Sequence, residues 1–190
     1  MKILCFGDSL TWGYTPYGGR YAQSWPDVLK KCRPQDTIIS AGQPGRTAYG
    51  SELTLSSLLQ RYEPDITCIM LGSNDLSLDC GRTIEQVCSD LKKMSIESSK
   101  YGRVILMTPP SISEDVDPGW NYPSGISSMM KKLADQISLL CKRQNLYFFN
   151  TQNIVRPAVP DGLHIDQESH LILGKEMAAY ISGIIRKDGN

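Results

Sequence analysis

Five short apolar runs set the frame for this chain. They occupy residues 3–6, 37–41, 66–71, 103–107 and 146–149. Ile, Leu, Val, Cys and Phe dominate them, and none shows polar alternation. Such runs suit strands buried on both faces of a parallel sheet. Longer segments of helical period separate them. Ser24 can cap a helix over 24–32, with Pro26 in its first turn. Residues 51–61 bring Leu53, Leu55, Leu58 and Leu59 close to one face. Thr83 and Gln86 form a capping box for a helix over 83–100. Residues 124–144 and 168–186 carry Met130, Leu133, Ile137, Leu173, Met177 and Ile181 at helical spacing. A strand followed by a helix, five times over, predicts an α/β chain. With right-handed crossovers it becomes a three-layer α/β/α sandwich around a five-stranded parallel sheet.

The 190 residues fit one domain, taken as 1–190. Lys plus Arg and Asp plus Glu number 20 each, so the formal net charge is zero. A balanced surface argues against nucleic acid and against anionic membrane as partners. It also gives little colloidal repulsion, which leaves a homo-oligomer open. No apolar run approaches the ~18 residues of a spanning helix. The opening MKILCFGDS is too short in its apolar part for a signal peptide and runs straight into candidate site residues. The expectation is a cytoplasmic protein. There its six cysteines (Cys5, Cys32, Cys68, Cys80, Cys88, Cys141) are expected to stay reduced.

In doubly wound sheets, sites form where strands end at their carboxyl side. Four blocks meet that condition or lie in the last loop. Gly7-Asp8-Ser9-Leu10 follows the first strand and presents a hydroxyl, although Ser after a strand also caps helices. Gly42-Gln43-Pro44-Gly45-Arg46-Thr47 follows the second, and its glycines let backbone approach a ligand. Gly72-Ser73-Asn74-Asp75 follows the third; Asn74 offers a side-chain amide, or simply an Asx turn. Asp161-Gly162-Leu163-His164 precedes the final helix and pairs a carboxylate with an imidazole at i, i+3 on one helical turn. A serine hydroxyl needs a base to take its proton, and the base needs a carboxylate to orient it. The chain has two histidines. His170 falls within the final helix pattern and reads as a helix-surface residue. His164 is therefore the base candidate.

These four blocks resemble those of the GDSL/SGNH hydrolase family, over the whole length from Ile3 to the final helix. The string 4–13, LCFGDSLTWG, is similar to its arylesterase-type branch. Ser40, where many members carry Asn, is a departure. The resemblance implies a flavodoxin-like fold and a serine esterase with Ser9 as nucleophile and Asp161 and His164 as its partners. It implies an oxyanion hole from Ser9 N–H, Gly45 N–H and the Asn74 amide. Asp8 and Asp75 are expected to hold loops together. No metal or cofactor is called for. Trp12, Tyr14, Pro110 and Trp120 are candidates to line a pocket for a small-molecule ester, short or aryl in its acyl part.

Other readings compete. Asp161, His164, Asp166 and His170 have zinc-binding types, but no familiar ligand spacing. A binding module can use the same sheet without chemistry. A sugar acetylesterase, a thioesterase or an acyltransferase can use the same site. Nucleotide binding lacks both GxGxxG and GxxxxGK[ST] after the first strand.

Overall fold

The structure is a computed structural model describing residues 1–78, 81–158 and 160–188. Cys80 lies outside the described residues, and the other five cysteines are free thiols. Five strands form one sheet: β1 (Lys2–Gly7), β2 (Thr37–Gly42), β3 (Ile66–Met70), β4 (Arg103–Met107) and β5 (Tyr147–Phe149). Their order is β2-β1-β3-β4-β5, all parallel. The flanking helices are α1 (Ser9–Trp12), α2 (Trp25–Cys32), α3 (Glu52–Tyr62), α4 (Ser73–Ser77), α5 (Ile84–Ser98), α6 (Ile126–Gln144) and α7 (Gln167–Asp188).

Alternate residues of each strand feed two cores. Leu4, Phe6, Ile69, Leu71, Val104 and Leu106 pack against α3, α5 and α6 through Leu55, Leu59, Val87, Leu91, Leu133 and Ile137. Ile3, Cys5, Cys68, Met70, Ile105 and Met107 pack on the other face against α2 and α7, through Trp25, Leu29, Leu173, Met177 and Ile181. Each such aliphatic side chain contributes roughly 1.5–3 kcal/mol by leaving water. Burial on both faces explains why the central strands β1, β3 and β4 read as unbroken apolar runs. The Thr83–Gln86 capping box and the Ser24 box with Pro26 behind it both form.

Two expectations need correction. Leu53 does not join the buried face of α3; it is exposed, and Leu55 and Leu59 carry the packing. His170 is not a surface residue of α7 but wholly buried. Its Nδ1 accepts from the Trp25 N–H at 3.3 Å, and Tyr21 packs edge-on to its ring. No helix among the described residues is long and apolar enough to cross a membrane.

Candidate active site

The parallel order puts the carboxyl ends of all five strands at one end of the sheet. Ser9 opens α1 directly after β1. Asp8 caps that turn, its carboxylate accepting the Leu10 N–H at 2.9 Å. Asp161 and His164 come from the loop before α7. The structure brings the three together. Ser9 Oγ lies 2.9 Å from His164 Nε2, and His164 Nδ1 lies 2.5 Å from Asp161 Oδ2.

The Asp161–His164 segment is a tight turn rather than the expected helical one. Its driver is Asp161 itself, whose Oδ1 accepts the N–H groups of Leu163 and His164, both at 2.9 Å. The carboxylate thus fixes the backbone and the imidazole together. Burial alone would raise the Asp161 carboxyl. The hydrogen bonds from the imidazole and the two amides outweigh it and hold the group below the usual carboxylate range. An ionised Asp161 favours the proton on Nδ1, which leaves Nε2 free to accept from the serine hydroxyl.

Tyr14 covers the imidazole, with ring centroids 4.8 Å apart and planes tilted by 45°. Trp12 follows at 6.0 Å from Tyr14, and Arg20 Nε donates to the Trp12 carbonyl at 2.7 Å. Both aromatic rings are half-buried. Pro110 is buried in the segment after β4. Trp120 stands 42% exposed in the same segment, beside Tyr122. The Tyr122 hydroxyl donates to the Asp161 carbonyl at 2.7 Å. Burial, then the Asp161 charge, push the Tyr122 phenol up to about 12, so it stays a donor.

The expected donors stand on the neighbouring turns. Ser9 N–H is the first amide of α1, one of the groups a helix leaves unpaired. Among the described residues no hydrogen bond engages the Ser9 or the Gly45 N–H. Gly45 takes φ +75°, and no heavy atom lies within 4 Å of where its Cβ would be. Asn74 Nδ2 donates to the Arg46 carbonyl at 2.9 Å. An amide carries two hydrogens, so one remains for a ligand.

Three residues hold these turns in place. Asp75 accepts the Ala48 N–H at 2.8 Å and the Tyr49 N–H at 3.3 Å. Asp8 accepts the buried Ser73 hydroxyl at 2.5 Å. Both carboxylates thus join loops, as expected from sequence. Arg46, which sequence reasoning gave no role of its own, reaches back under the site. Its guanidinium donates to the carbonyls of Gly7 and Ala41 and lies 4.3 Å over the Phe6 ring. A lone arginine in a glycine loop carries no signal for that role.

The zinc reading finds its groups engaged elsewhere. Asp166 caps α7 through the Ser169 N–H, and His170 faces Trp25. Among the described residues no group of three or more His, Cys, Asp or Glu is placed to hold a metal ion.

The doubly wound parallel sheet is the α/β fold of SGNH hydrolases, with this candidate site at its carboxyl end. The comparisons carry the assignment further. The model of the GDSL-like lipase/acylhydrolase family matches residues 5–171, and the chain belongs to that family. No curated protein matches the sequence. Among solved structures it is similar to the native aryl esterase of M. smegmatis, at 25% identity and TM-score 0.87, covering 96% of this chain and 98% of that one. A carbohydrate acetylesterase family member from Sinorhizobium meliloti is 25% identical at TM-score 0.86, covering 95% and 96%. The lipase/acylhydrolase of Enterococcus faecalis is 27% identical at TM-score 0.78, covering 96% and 95%. The chain is an ester hydrolase of this family.

Proposed function

We propose that this chain hydrolyses carboxylic esters of small molecules, with short acyl or aryl groups, through an acyl-enzyme on Ser9. The continuous relay from Ser9 through His164 to Asp161 is the observation that carries the reading. His164 Nε2 takes the hydroxyl proton as Ser9 Oγ adds to the ester carbonyl. The Ser9 and Gly45 N–H groups and the free Asn74 hydrogen stabilise the tetrahedral oxyanion. His164 then returns the proton to the departing alcohol as the C–O bond breaks. Water, deprotonated by the same imidazole, attacks the acyl group and frees Ser9. Asp161 keeps the proton on Nδ1 and stabilises the imidazolium. The sequence of steps uses no metal or cofactor. Tyr14 and Trp12 supply an aromatic wall beside the imidazole, which suits an aryl or small acyl group.

A carbohydrate O-acetylesterase is the second reading, favoured by the similarity to the Sinorhizobium meliloti acetylesterase family member. Thioester hydrolysis and acyl transfer would pass through the same acyl-enzyme. A series of p-nitrophenyl esters from acetate to laurate, offered to wild type and Ser9→Ala, tests the reading. Turnover should peak at short chains and fall by at least about 10³-fold in the variant. Equal turnover in both proteins overturns Ser9 as nucleophile. Asn74→Ala should lower kcat by about 10²–10³-fold if its amide serves the oxyanion.

A further inference from the structure

Two cavities flank the segment that joins β4 to α6. The larger, of 770 Å³, lies between that segment, the first turns of α6 and the residues after β5. The smaller, of 130 Å³, is lined by Trp120 and Tyr122. Glu114 lines both, so the two adjoin. The larger volume falls in the range of small-molecule sites, about 300–1,000 Å³.

Each cavity is linked to the turn that carries Asp161 and His164 through one of its lining residues. Tyr122, in the smaller, donates to the Asp161 carbonyl at 2.7 Å. Ser113, in the larger, donates its N–H to the Gly162 carbonyl at 2.8 Å. They also lie at the end of the sheet where Ser9 sits. Strands are about 4.8 Å apart, so the ends of β4 and β5 stand roughly 10 and 14 Å from that of β1. A simple aryl ester bound at Ser9 does not reach so far. A chain of linked rings does.

The lining selects the occupant. Serines, asparagines and a glutamine make up most of the larger wall, and Ala134 is its one apolar residue. Lys131 and Arg156 are matched by Glu114 and Asp135, so the wall has no net charge. Among the described residues none of these four is engaged in an ion pair. Glu114, Ser113, Asn150 and Gln152 already bond within the protein, but among the described residues the side chains of Lys131, Asn153 and Arg156 offer donors beside the acceptor of Asp135, as a hydroxyl requires, since it gives and takes at once. A phosphate would meet the two carboxylates. A lipid tail would find no apolar lining. In the adjoining cavity the half-exposed Trp120 indole offers a flat apolar surface for the C–H face of a sugar ring.

We propose that the two cavities form an accessory carbohydrate subsite, which holds unesterified sugar units while the acetylated unit lies at Ser9. This inference rests on the carbohydrate O-acetylesterase reading of the Ser9 site. Lys131 and Asp135 are exposed positions of α6 whose replacement leaves the core untouched. The test compares wild type, Lys131→Ala, Asp135→Ala and Asn153→Ala on acetylated xylotetraose and on p-nitrophenyl acetate. Loss of one or two hydrogen bonds to the sugar should raise KM for the oligosaccharide about tenfold, with kcat held. Turnover of p-nitrophenyl acetate should stay within about twofold of wild type. Unchanged KM for the oligosaccharide in all three variants overturns the subsite. So does a wild type that turns over p-nitrophenyl acetate but not the oligosaccharide. Wild type inert on both esters would instead sink the esterase reading beneath it.

Discussion

The Ser73 hydroxyl donates to Asp8 Oδ2 at 2.5 Å, with both residues buried. One hydrogen bond thus ties the turn that presents Ser9 to the turn that presents Asn74. Burying the carboxylate has an electrostatic cost. Burial raises the Asp8 carboxyl from 3.8 to about 6, against the Ser73 and Leu10 hydrogen bonds and the nearby His164.

The sign of the resulting pH dependence follows. Between pH 4 and 6 the folded Asp8 holds a proton that the unfolded chain has released. Its contribution to stability is full below about pH 4 and is lost as pH rises through about 6. The gap corresponds to on the order of 3 kcal/mol. Asp8→Asn keeps an acceptor for the Leu10 N–H but cannot titrate. Urea unfolding at pH 4.5, 5.5 and 6.5 should show stability changing more favourably with rising pH in Asp8→Asn than in wild type. Parallel curves would show that Asp8 does not titrate in this window.

His170 acts in the opposite sense. Burial pushes its imidazole down from 6.5 to about 4. The folded protein keeps it neutral, so its contribution is full above pH 6.5 and is lost as pH falls toward 4. In the wild type, Asp8 and His170 oppose each other over the same window. His170→Gln retains an acceptor for the Trp25 N–H and removes one of the two. Its stability should fall as pH rises from 4.5 to 6.5, measured by the same unfolding series. A profile that still tracks wild type would remove His170 from the balance.

Asp75 secures the loop that carries Gly45. Asp75→Ala strands the N–H of Ala48, which is wholly buried, and frees that of Tyr49. An orphaned buried amide costs about 1–3 kcal/mol. In a chain of this size that lowers Tm by roughly 2–12 °C. Asp75→Asn, with one acceptor left, should lose less. A differential scan with all three proteins superimposed would dismiss the clamp.

Gly42 and Gly45 should respond differently to alanine. A Cβ on Gly42 would lie 2.2 Å from the Trp12 nitrogen and 2.6 Å from its Cα. Backbone cannot yield as a side chain does, so Gly42→Ala must separate β2 from α1 or fail to fold. Gly45→Ala meets nothing within 4 Å and bears only its φ of +75°. That costs roughly 1–2 kcal/mol. Expression and melting of the two variants side by side should show Gly45→Ala folded and Gly42→Ala severely destabilised. Equal melting would mean that the turn after β2 is free to shift.

Much of this architecture was legible in the residues. The apolar runs gave the strands most clearly for β1, β3 and β4, which lie buried on both faces and leave no polar alternation to confuse the period. Thr83–Gln86 and Ser24–Pro26 marked two helix starts through their own side-chain bonds. Residues brought together across long separations were harder. His170 read as a helix-surface residue because it falls within the final helix pattern with no carboxylate three positions upstream; packing against Trp25 of α2 and against Tyr21 buries it. Leu53 read as core because leucine counts toward a stripe wherever it falls. Helices α1 and α4 span 4 and 5 residues and are too short for a period to show. The bond from Tyr122 to Asp161 joins positions 39 apart and has no local signature.

The pairing of Ser9 with His164 has a consequence in time. The two residues stand 155 positions apart. A ribosome adding about 5–20 residues per second needs roughly 8–30 s to travel that distance. On the proposed mechanism, a nascent chain throughout that interval displays its hydroxyl without the imidazole that would arm it. Cleavage anywhere between the two positions likewise leaves them on different fragments. On the proposed mechanism, neither fragment alone holds both reacting groups.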